Sequence, residues 1–389
     1  MRVGVFFGSR TPEHDVSIIT GQLIISGLKE LGHEVVPVYI GKTGIWHAGE
    51  ELGSLEFFKQ PDIDSKLKKF EGFNLDMSQL NKVVLKKQTI FNPKVYEIDL
   101  AFPTFHGQNG EDGTIQGIFE LLNVPYVGCD VTSSAITMDK VLTKLIYERF
   151  NIPTTNFIHF FVRDWKKRKN EIVNEITSNL TYPLFVKPAR LGSSIGIARV
   201  DNDKDLEFAI EVALHYDTKV LVEEGVKDLM DITVAVMGND DLTTSLIQES
   251  AYTEGFFSYE DKYIKEGGAQ LGNAEKKIII PARLDEKTTK DIQEVAKEIY
   301  KLIGCSGIAR VDFLYDKTFK KYYANEVNTL PGTLYHHLWK ESGISLTELL
   351  SKLLELAEEK HMQKQKLNYT FESEILKKAN SQKLALKGN

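Results

Sequence analysis

Three oxygen-bearing side chains on two neighbouring predicted strands, with an arginine alongside, have types and spacing that suit the binding of a cation. The strand GIARVDFLYD carries Arg310 and Asp312, and the next strand, YYANEVN, carries Glu326 and Asn328. Side chains alternate between the faces of a strand, so each pair shares one face and a hairpin would bring the pairs together. Crowded carboxylates repel unless a cation lies between them, and hard oxygen ligands suit Mg²⁺. For one such residue a solvated edge hairpin is the commoner explanation, but the set favours a metal site.

A second pattern, YPLFVKPARLGSSIGIARV, has the features of an anion-binding loop. Its first strand ends at Lys187, and a run of small residues from Gly192 to Gly196 leads into the next strand. Small residues let backbone N–H groups approach an anion, and the lysine adds a positive charge. The spacing is not that of a P-loop. A Gly/Ser stretch alone is usually only a hairpin, so both interpretations stay open at this point.

Two further stretches place polar residues where α/β sheets bind ligands. The stretch HGQNGEDGTIQGIFELL starts at His106 and puts a glycine-rich loop before a predicted helix, whose N-terminus can hold an anion. The stretch GSRTPEHDVS puts Glu13 and His14 directly after the first strand. Ligands bind at the carboxyl ends of strands in open α/β sheets, so these residues are candidates for a binding site.

The elements that must hold these residues predict an α/β protein whose first unit spans residues 1–132. Strands RVGVFFG, EVVPVYI and EIDLAFPTF alternate with helices, which predicts an open parallel sheet. The first helix, within DVSIITGQLIISGLKELG, has Thr11 placed to cap it and Gly32 beyond its end. Residues 42–95 are irregular and are interpreted as an elaboration with short strands.

Two more units and a tail follow. Residues 133–224 begin with one predicted helix, SSAITMDKVLTKLIYERFN, and continue as strand, helix and strand. Residues 225–360 combine the strands DITVAVMG, LTTSLIQE and KKIIIP with a helix near 285–303, the polar hairpin and a C-terminal amphipathic helix. Residues 361–389 are a lysine-rich segment that we interpret as a solvated tail.

Composition excludes several classes of function. The chain has 389 residues, of which 42% are hydrophobic, and this suits a globular protein of two or three domains. A net charge of -7 gives no electrostatic reason to expect a nucleic acid or an anionic membrane as partner. Cys129 and Cys305 lack metal-ligand spacing and are expected to be buried thiols in a reducing compartment. No secretory signal or membrane-spanning run is apparent, so we expect a soluble cytoplasmic protein.

Taken together, these motifs resemble those of the D-alanine–D-alanine ligases, which belong to the ATP-grasp superfamily. The resemblance covers the chain from Val3 to about residue 358 and rests on EHDVS, HGQNGEDGTIQG, MDK, VKPARLGSSIG, EDKY, RVDF and NEVNTLPG in family order. It implies a three-domain ATP-grasp fold. It also implies an enzyme that uses ATP to join two D-alanines through an acyl phosphate, for the synthesis of peptidoglycan precursor.

The resemblance implies the residues that bind nucleotide and metal. ATP would be held by Lys140, Lys187, Ser194, Glu223, Asp231 and Lys262. Asp312, Glu326 and Asn328 would hold two Mg²⁺ ions, with Mn²⁺ as an alternative. At the ribose position the family usually has Glu after Arg, whereas this chain has Met230 and Asp231.

The resemblance also implies the residues that handle the substrate. Glu13 would receive the ammonium of the first D-alanine, with Ser193 and Tyr263 hydrogen-bonded to it, and His106 would lie near that substrate's carboxylate. Arg310 and the backbone N–H of Gly332 would form the oxyanion hole. A homodimer is the oligomeric state that the resemblance implies.

One departure from the family pattern concerns the second substrate. Where the family has a serine that binds the second carboxylate, this chain has His337, within TLYHHLWKESG. An imidazole can donate to a carboxylate, but His336 and His337 could equally pack beneath Trp339. The alternatives are therefore a related ligase that uses D-lactate, D-serine or another amino acid as acceptor, and a non-catalytic nucleotide-binding protein. The intact ligand set argues against the second of these.

Overall fold

The structure, a computed structural model, describes residues 1–70, 72–87, 94–250 and 278–378. The strands are β1 (Arg2–Gly8), β2 (Glu34–Ile40), β3 (Trp46–Ala48), β4 (Phe73–Leu75), β5 (Val83–Lys87), β6 (Lys94–Ile98), β7 (Leu100–Pro103), β8 (Phe157–Phe161), β9 (Leu184–Pro188), β10 (Ala198–Val200), β11 (Lys219–Glu224), β12 (Leu229–Gly238), β13 (Thr243–Ser250), β14 (Ile278–Ile279), β15 (Gly307–Asp316) and β16 (Lys321–Asn328). The helices are α1 (His14–Glu30), α2 (Leu55–Phe58), α3 (Ile63–Leu67), α4 (Thr114–Leu122), α5 (Val131–Met138), α6 (Lys140–Arg149), α7 (Val162–Asn179), α8 (Asp203–Tyr216), α9 (Glu286–Ile303), α10 (His336–Glu341), α11 (Leu346–Gln365) and α12 (Ile375–Lys378).

The first sheet has the strand order β3-β2-β1-β7, and β1 pairs in parallel with both β2 and β7. The predicted parallel sheet is therefore confirmed, with β3 added antiparallel at one edge. A small antiparallel sheet, β4-β5-β6, forms the predicted elaboration. The expected cap was wrong, because α1 begins after Glu13, whose N–H donates to Thr11 Oγ1 over 3.3 Å. Gly32, with φ +80°, follows the end of the helix as predicted.

The second sheet, β10-β9-β11-β8, is antiparallel and carries Lys187 on β9. The single helix predicted before it is two helices, α5 and α6, that meet at Asp139. Asp139 has φ -94° and ψ 99°, and its carboxylate accepts the N–H groups of Val141 and Leu142 at 3.1 and 3.2 Å. An aspartate cap of this kind satisfies the first free N–H groups of a helix. The break makes Lys140 the first residue of α6.

The third sheet, β14-β13-β12-β15-β16, is antiparallel, and its last two strands are the predicted polar hairpin. In its register Arg310 lies opposite Asn328, and Asp312 lies opposite Glu326. A bulge follows Asp312 and changes the pairing beyond it. Helix α9 begins and ends where it was expected.

The largest hydrophobic cluster connects the two ends of the chain. Val5 and Ile24 of the first unit belong to the same buried cluster as Ile308 and Leu350. Helices α1 and α11 approach so closely that a methyl group at Gly27 would lie 2.4 Å from Leu350. This shared core holds the start of α1 against the segment after β16, and both positions carry predicted site residues.

The two cysteines are buried and free, as predicted. Cys129 and Cys305 are distant in sequence, but their thiols are in hydrogen-bonding contact where the first and third units meet. Among the described residues there is no helix that is both long and apolar enough to cross a membrane.

Candidate active site

A cleft between the three units collects half of the predicted site residues. It is open to solvent. The first unit contributes Glu13, His106 and Glu111; the second contributes Lys140 and Ser193; and the third contributes Arg310, Glu326, Asn328 and Gly332. Residues separated by more than three hundred positions in the sequence therefore line one cavity.

The hairpin strands turn four polar side chains toward one another. The Arg310 guanidinium donates to both oxygens of Asp312, with Nε at 2.9 and 3.0 Å. Asp312 also accepts the Asn328 amide at 3.1 Å and the Thr233 hydroxyl at 2.8 Å. Glu326 lies 3.9 Å from Arg310. The convergence predicted from strand alternation is thus present in the structure.

Counted on its own two strands, this hairpin cluster carries one negative charge in excess, because Arg310 faces the two carboxylates of Asp312 and Glu326. Lys140 on α6 approaches Glu326 to 3.9 Å. Burial raises the pKa of Asp312, Arg310 opposes the rise, and Glu326 adds to it. A cation between the two carboxylates would favour their ionised forms, so the oxygen donors fit a hard divalent ion. Within the described residues no group of three or more His, Cys, Asp or Glu side chains is placed to hold a metal ion, so any site here depends on the amide of Asn328.

A second buried cluster lies behind the cleft and has the opposite charge. Glu223 on β11 is ion-paired with Lys187 on β9 and with Lys144 on α6, whose Nζ lies 2.7 Å from Glu223 Oε2. Although burial works against ionisation, the two lysines hold the pKa of Glu223 well below its ordinary range. Burial lowers the pKa of Lys144, whereas Glu223 outweighs burial and raises that of Lys187. The lysine cluster formally carries one positive charge in excess.

Sequence reasoning did not find Lys144, although a signal was present. Lys144 lies three residues from both Val141 and Tyr147, which are buried, so helical spacing places it on the inner face of α6. A lysine on a buried helical face needs a counterion. Its position in the sequence does not say which acid supplies the negative charge.

Small residues surround the carboxylate of Glu13 closely. Ser193 donates its hydroxyl to Glu13 Oε1. A Cβ at Gly107 would lie 2.6 Å from Glu13 Oε2, and one at Gly192 would lie 2.8 Å from it. Side chains at these two positions would therefore displace Glu13, which explains why both are glycine.

Glu111 is a second, half-buried carboxyl group beside Glu13 and was missed in the sequence. Its Oε2 accepts the N–H of Gly107 at 2.7 Å. Burial, followed by the charge of Glu13, raises the pKa of Glu111 to about 8. Glu111 thus holds a proton at neutral pH. Its place inside HGQNGEDG was the available signal, but a titration shift depends on burial that the motif does not reveal.

His106 links the first unit to the segment after β16. Its Nε2 lies 2.9 Å from Thr20 Oγ1, which also accepts the N–H of Thr333 at 3.2 Å. Burial lowers the pKa of His106 to about 4, so the ring is neutral. His106 lines the cleft, as expected of a residue near the first substrate.

The turn after Pro331 has unusual backbone geometry. Thr333, Leu334 and Tyr335 have φ values of +48°, +55° and +51°, in the left-handed region that glycine favours. Such conformations persist where surrounding contacts demand them, and they concentrate at functional sites. Here the turn places the Tyr335 ring 4.8 Å from the Arg310 guanidinium.

His337 packs in the wall of this turn. Its Nε2 lies 2.7 Å from Gln248 Oε1, and its ring centroid is 5.0 Å from that of Tyr335. Burial lowers the pKa of His337 to about 4. Its Nδ1 is buried and has no hydrogen-bond partner within the part of the chain that the structure describes. The neighbouring His336 differs, because its Nδ1 contacts the carbonyl of Thr333 at 3.2 Å.

The other predicted residues have the following places. Lys140 donates to the carbonyl of Leu191 at 2.7 Å and lies 3.9 Å from Glu326. Ser194 adopts φ +59° in the loop after Lys187. Asp231 is half-buried on β12, and its charge acts on Lys187. Lys262 and Tyr263 lie outside the residues that the structure describes.

Comparison with known proteins agrees with this geometry. Residues 2–129 match the family model described as D-ala D-ala ligase N-terminus, and residues 146–355 match D-ala D-ala ligase C-terminus. The chain is 39% identical to a D-alanine–D-alanine ligase of Thermosipho melanesiensis, over 97% of this chain and 98% of that protein. It is also 39% identical to one of Caldicellulosiruptor bescii, over 96% and 99%.

Solved structures give the same result. The D-alanine-D-alanine ligase of Coxiella burnetii superposes with a TM-score of 0.77 at 29% identity, covering 94% of this chain and 96% of that one. The VanG D-Ala:D-Ser ligase of Enterococcus faecalis superposes with a TM-score of 0.75 at 34% identity, covering 92% and 99%. The predicted ATP-grasp fold and the class of ATP-dependent ligase are confirmed. The chain belongs to the D-alanine–D-alanine ligase family.

Proposed function

We propose that this ligase uses ATP to activate the carboxylate of one D-alanine and joins it to the amine of a second, supplying D-alanyl-D-alanine for peptidoglycan precursor. The observation that carries the proposal is the meeting of three kinds of group in one region. The cleft contains the carboxylate of Glu13, which suits an ammonium group, and the acidic hairpin cluster, which suits a cation. A lysine cluster suited to an anion lies behind it.

The first step is phosphoryl transfer to a carboxylate. This chemistry depends on positioning and on neutralisation of charge more than on covalent help. Lys140 and Lys187 would bind the phosphates, and Asp312, Glu326 and Asn328 would hold Mg²⁺. When bound, Mg²⁺ would neutralise charge on the phosphate oxygens. Ser194, Asp231 and Lys262 would complete the nucleotide contacts, and Glu223 would act on them as the buried partner of Lys187.

The second step is attack by an amine on the activated carbonyl. The oxyanion that forms needs donors already in place, and Arg310 together with the backbone N–H of Gly332 would supply them. Asp312 holds the Arg310 guanidinium from its edge and Tyr335 covers its face, so the donor cannot swing away. The hairpin cluster therefore would serve both steps.

The first D-alanine would be oriented by its ammonium and its carboxylate. Glu13 would accept the ammonium, with Ser193 and Tyr263 supporting it, and neutral His106 would lie near the carboxylate. The close approach of Gly107 and Gly192 keeps the Glu13 carboxylate in one position, which suits recognition of a small amino acid.

A second candidate is a ligase whose acceptor carries an extra hydrogen-bond donor, such as D-serine. The observation that favours it is the buried Nδ1 of His337. The Nε2–H group of His337 donates a hydrogen bond to Gln248 Oε1, so the neutral ring has its lone pair on Nδ1. A lone pair attracts a hydroxyl donor and repels a carboxylate. One of the similar solved structures is named a D-Ala:D-Ser ligase.

The proposal extends to the setting of the enzyme. It includes Mg²⁺ as the metal, with Mn²⁺ able to replace it, a homodimeric state and a cytoplasmic location. The two free thiols fit a reducing compartment.

A screen of acceptors tests the proposal directly. Phosphate release from ATP is measured with D- and L-amino acids and with hydroxy acids, and each product is identified by mass. We expect D-alanine alone to support turnover and to yield D-alanyl-D-alanine. In a competition at equal concentrations, its advantage over D-lactate should grow from about pH 6 to about pH 9, because more of the amine is unprotonated.

Two other results would change the assignment. A mixed product with D-serine in preference to D-alanyl-D-alanine would select the second candidate. Absence of phosphate release with every D-amino acid would exclude both.

A further inference from the structure

Lys144 is the most deeply buried lysine beside the proposed nucleotide site, and its contacts account for all three of its N–H groups. Its Nζ lies 2.7 Å from Glu223, 2.7 Å from Thr154 Oγ1 and 2.9 Å from Thr155 Oγ1. Its side chain is 2% exposed. Lys144 is not among the residues that line the cleft. All three of its N–H groups are therefore engaged within the protein.

Glu223 is divided between two lysines. Its Oε2 is ion-paired with Lys144 and also accepts a hydrogen bond from the Thr155 hydroxyl at 2.7 Å. Its Oε1 is ion-paired with Lys187. One carboxylate can balance one ammonium, so Glu223 alone does not balance both lysines. Lys144 is enclosed by its own partners, whereas Lys187 is the more exposed of the two at 10%, with the charges of Glu326 and Asp231 acting on it from farther away.

The contacts of Lys187 show why the sharing matters. Among the described residues its ammonium is bonded to Glu223 and to no other side chain. If Lys144 were absent, Glu223 would become a one-to-one counterion of Lys187. An anion such as a phosphate would then have to break a complete buried ion pair before it could bind the lysine, which is unfavourable.

We propose that Lys144 is a positioning residue for the nucleotide: by sharing Glu223 it keeps Lys187 available to a phosphate of ATP. This inference rests on the proposed function, in which Lys187 binds ATP. It assigns to Lys144 an effect exerted wholly through Glu223, and it assigns to Glu223 the role of a buried counterion. The hydroxyl of Thr154 ties the arrangement to β16, because it donates to the Ala324 carbonyl at 3.0 Å, two residues before Glu326.

The test is a double-mutant cycle on nucleotide binding by the full chain. A non-hydrolysable ATP analogue with Mg²⁺ is titrated by calorimetry into the wild type, Lys144→Met, Glu223→Gln and the double variant. We expect Lys144→Met to weaken binding by roughly tenfold or more, because Glu223 then captures Lys187. The double variant should recover to within about threefold of the wild type, because the capturing carboxylate is gone.

Steady-state kinetics and stability separate this effect from general damage. Lys144→Met should raise the KM for ATP much more than it lowers kcat. Lys360→Met is the matched control, since Lys360 is a largely buried lysine near Asp130, at 3.7 Å, outside the cleft. It should affect the melting temperature without changing affinity for the analogue.

Several outcomes would overturn the inference. These are wild-type affinity in Lys144→Met, or a folded double variant that binds as weakly as Lys144→Met. If Lys144→Met does not fold, Glu223→Gln alone decides: binding at least as tight as wild type supports the inference, and a loss identifies Glu223 as a direct nucleotide ligand. Failure of the wild type to bind the analogue would instead reject the proposed function.

Discussion

The hairpin cluster and the lysine cluster are ion clusters of similar size and opposite excess charge. Asp312 and Glu326 of the first cluster are half-buried, whereas Glu223 and Lys144 of the second are fully buried. In the first, Arg310 faces the carboxylates of Asp312 and Glu326, so one negative charge is in excess. In the second, Glu223 faces Lys144 and Lys187, so one positive charge is in excess. In each cluster a threonine hydroxyl donates to one carboxylate: Thr233 to Asp312 in the first and Thr155 to Glu223 in the second.

The difference indicates what each cluster is built to receive. A buried excess charge is unfavourable unless a ligand of the opposite sign completes it. The hairpin cluster, which Lys140 approaches to 3.9 Å, favours a cation, and the lysine cluster, on which Asp231 acts, favours an anion. A nucleotide with its metal ion carries both, so the two clusters together suit that ligand better than either does alone.

The largest effect is expected from removing negative charge from the hairpin cluster. Glu326→Gln keeps the volume of the side chain but neutralises the excess that favours the metal. We expect turnover to fall by roughly three orders of magnitude, since charge neutralisation dominates phosphoryl transfer. The measurement is phosphate release over a range of Mg²⁺ concentrations, with the melting temperature as a control. Turnover near the wild type at limiting Mg²⁺ would show that the hairpin is only structural.

A smaller loss is expected when Arg310 keeps its charge but changes shape. Arg310→Lys leaves the net charge of the hairpin cluster unaltered and removes the planar group that Asp312 and Tyr335 hold. We expect kcat to fall by roughly a hundredfold, with a smaller change in ATP affinity. If ATP affinity and kcat fell equally, Arg310 would be a nucleotide ligand and the two clusters would not divide their roles as described.

A pH-dependent effect should distinguish Glu111 from the negative charges of the hairpin cluster. Its folded pKa of about 8 exceeds the ordinary value of 4.5. A raised carboxyl pKa gives stability that is present below the ordinary value and is lost as pH rises through the folded value. The Glu111→Gln variant has no titrating group at this position. The melting temperature of the variant minus that of the wild type should therefore increase as the pH rises from about 5.5 to about 8.5.

The expected gain for Glu111→Gln is at least about 2 to 4 °C, as a change of about 1 kcal/mol gives in a chain of several hundred residues. Differential scanning fluorimetry across the range provides the measurement. If the difference in melting temperature between the variant and the wild type stayed constant with pH, Glu111 would be ionised throughout this range. The cleft would then carry one more negative charge at neutral pH.

The smallest effects should come from the matched threonines. Thr233→Val removes the hydroxyl on Asp312, and Thr155→Val removes the hydroxyl on Glu223. We expect about a fivefold change in each case, the equivalent of about 1 kcal/mol for one hydrogen bond. Thr233→Val should raise the Mg²⁺ requirement, and Thr155→Val should raise the KM for ATP. Crossed effects, with each variant altering the other ligand, would show that the clusters act as one unit.

Much of the hairpin cluster could be predicted from the sequence because its geometry is local. Strand alternation places Arg310 with Asp312, and Glu326 with Asn328, whatever the rest of the chain does. A short turn then pairs the strands in the observed register. The family motifs extended this to Glu13, His106, Lys140 and Lys187, which the structure places in or beside one region.

The lysine cluster was only partly predictable, because its contacts join segments far apart in the chain. Lys187 was found from its loop, but the pairing of Lys144 with Glu223 links α6 to β11, and no local pattern encodes that distance. The same holds for Thr11, which the sequence indicated as a cap, whereas the chain turns so that Glu13 occupies the position before α1.

The sequence by itself determined the family, the order of strands and helices, and the identity of the polar groups in the hairpin. Tertiary structure alone decided which charges are buried. The pKa of Glu111 depends on its enclosure and on Glu13, a residue nearly a hundred positions away. The Nδ1 of His337, which has no partner among the described residues, is left with its lone pair because Nε2 is hydrogen-bonded to Gln248. Ionisation and hydrogen-bonding capacity depend on desolvation and on neighbours in space, and these exist only once the three units have packed together.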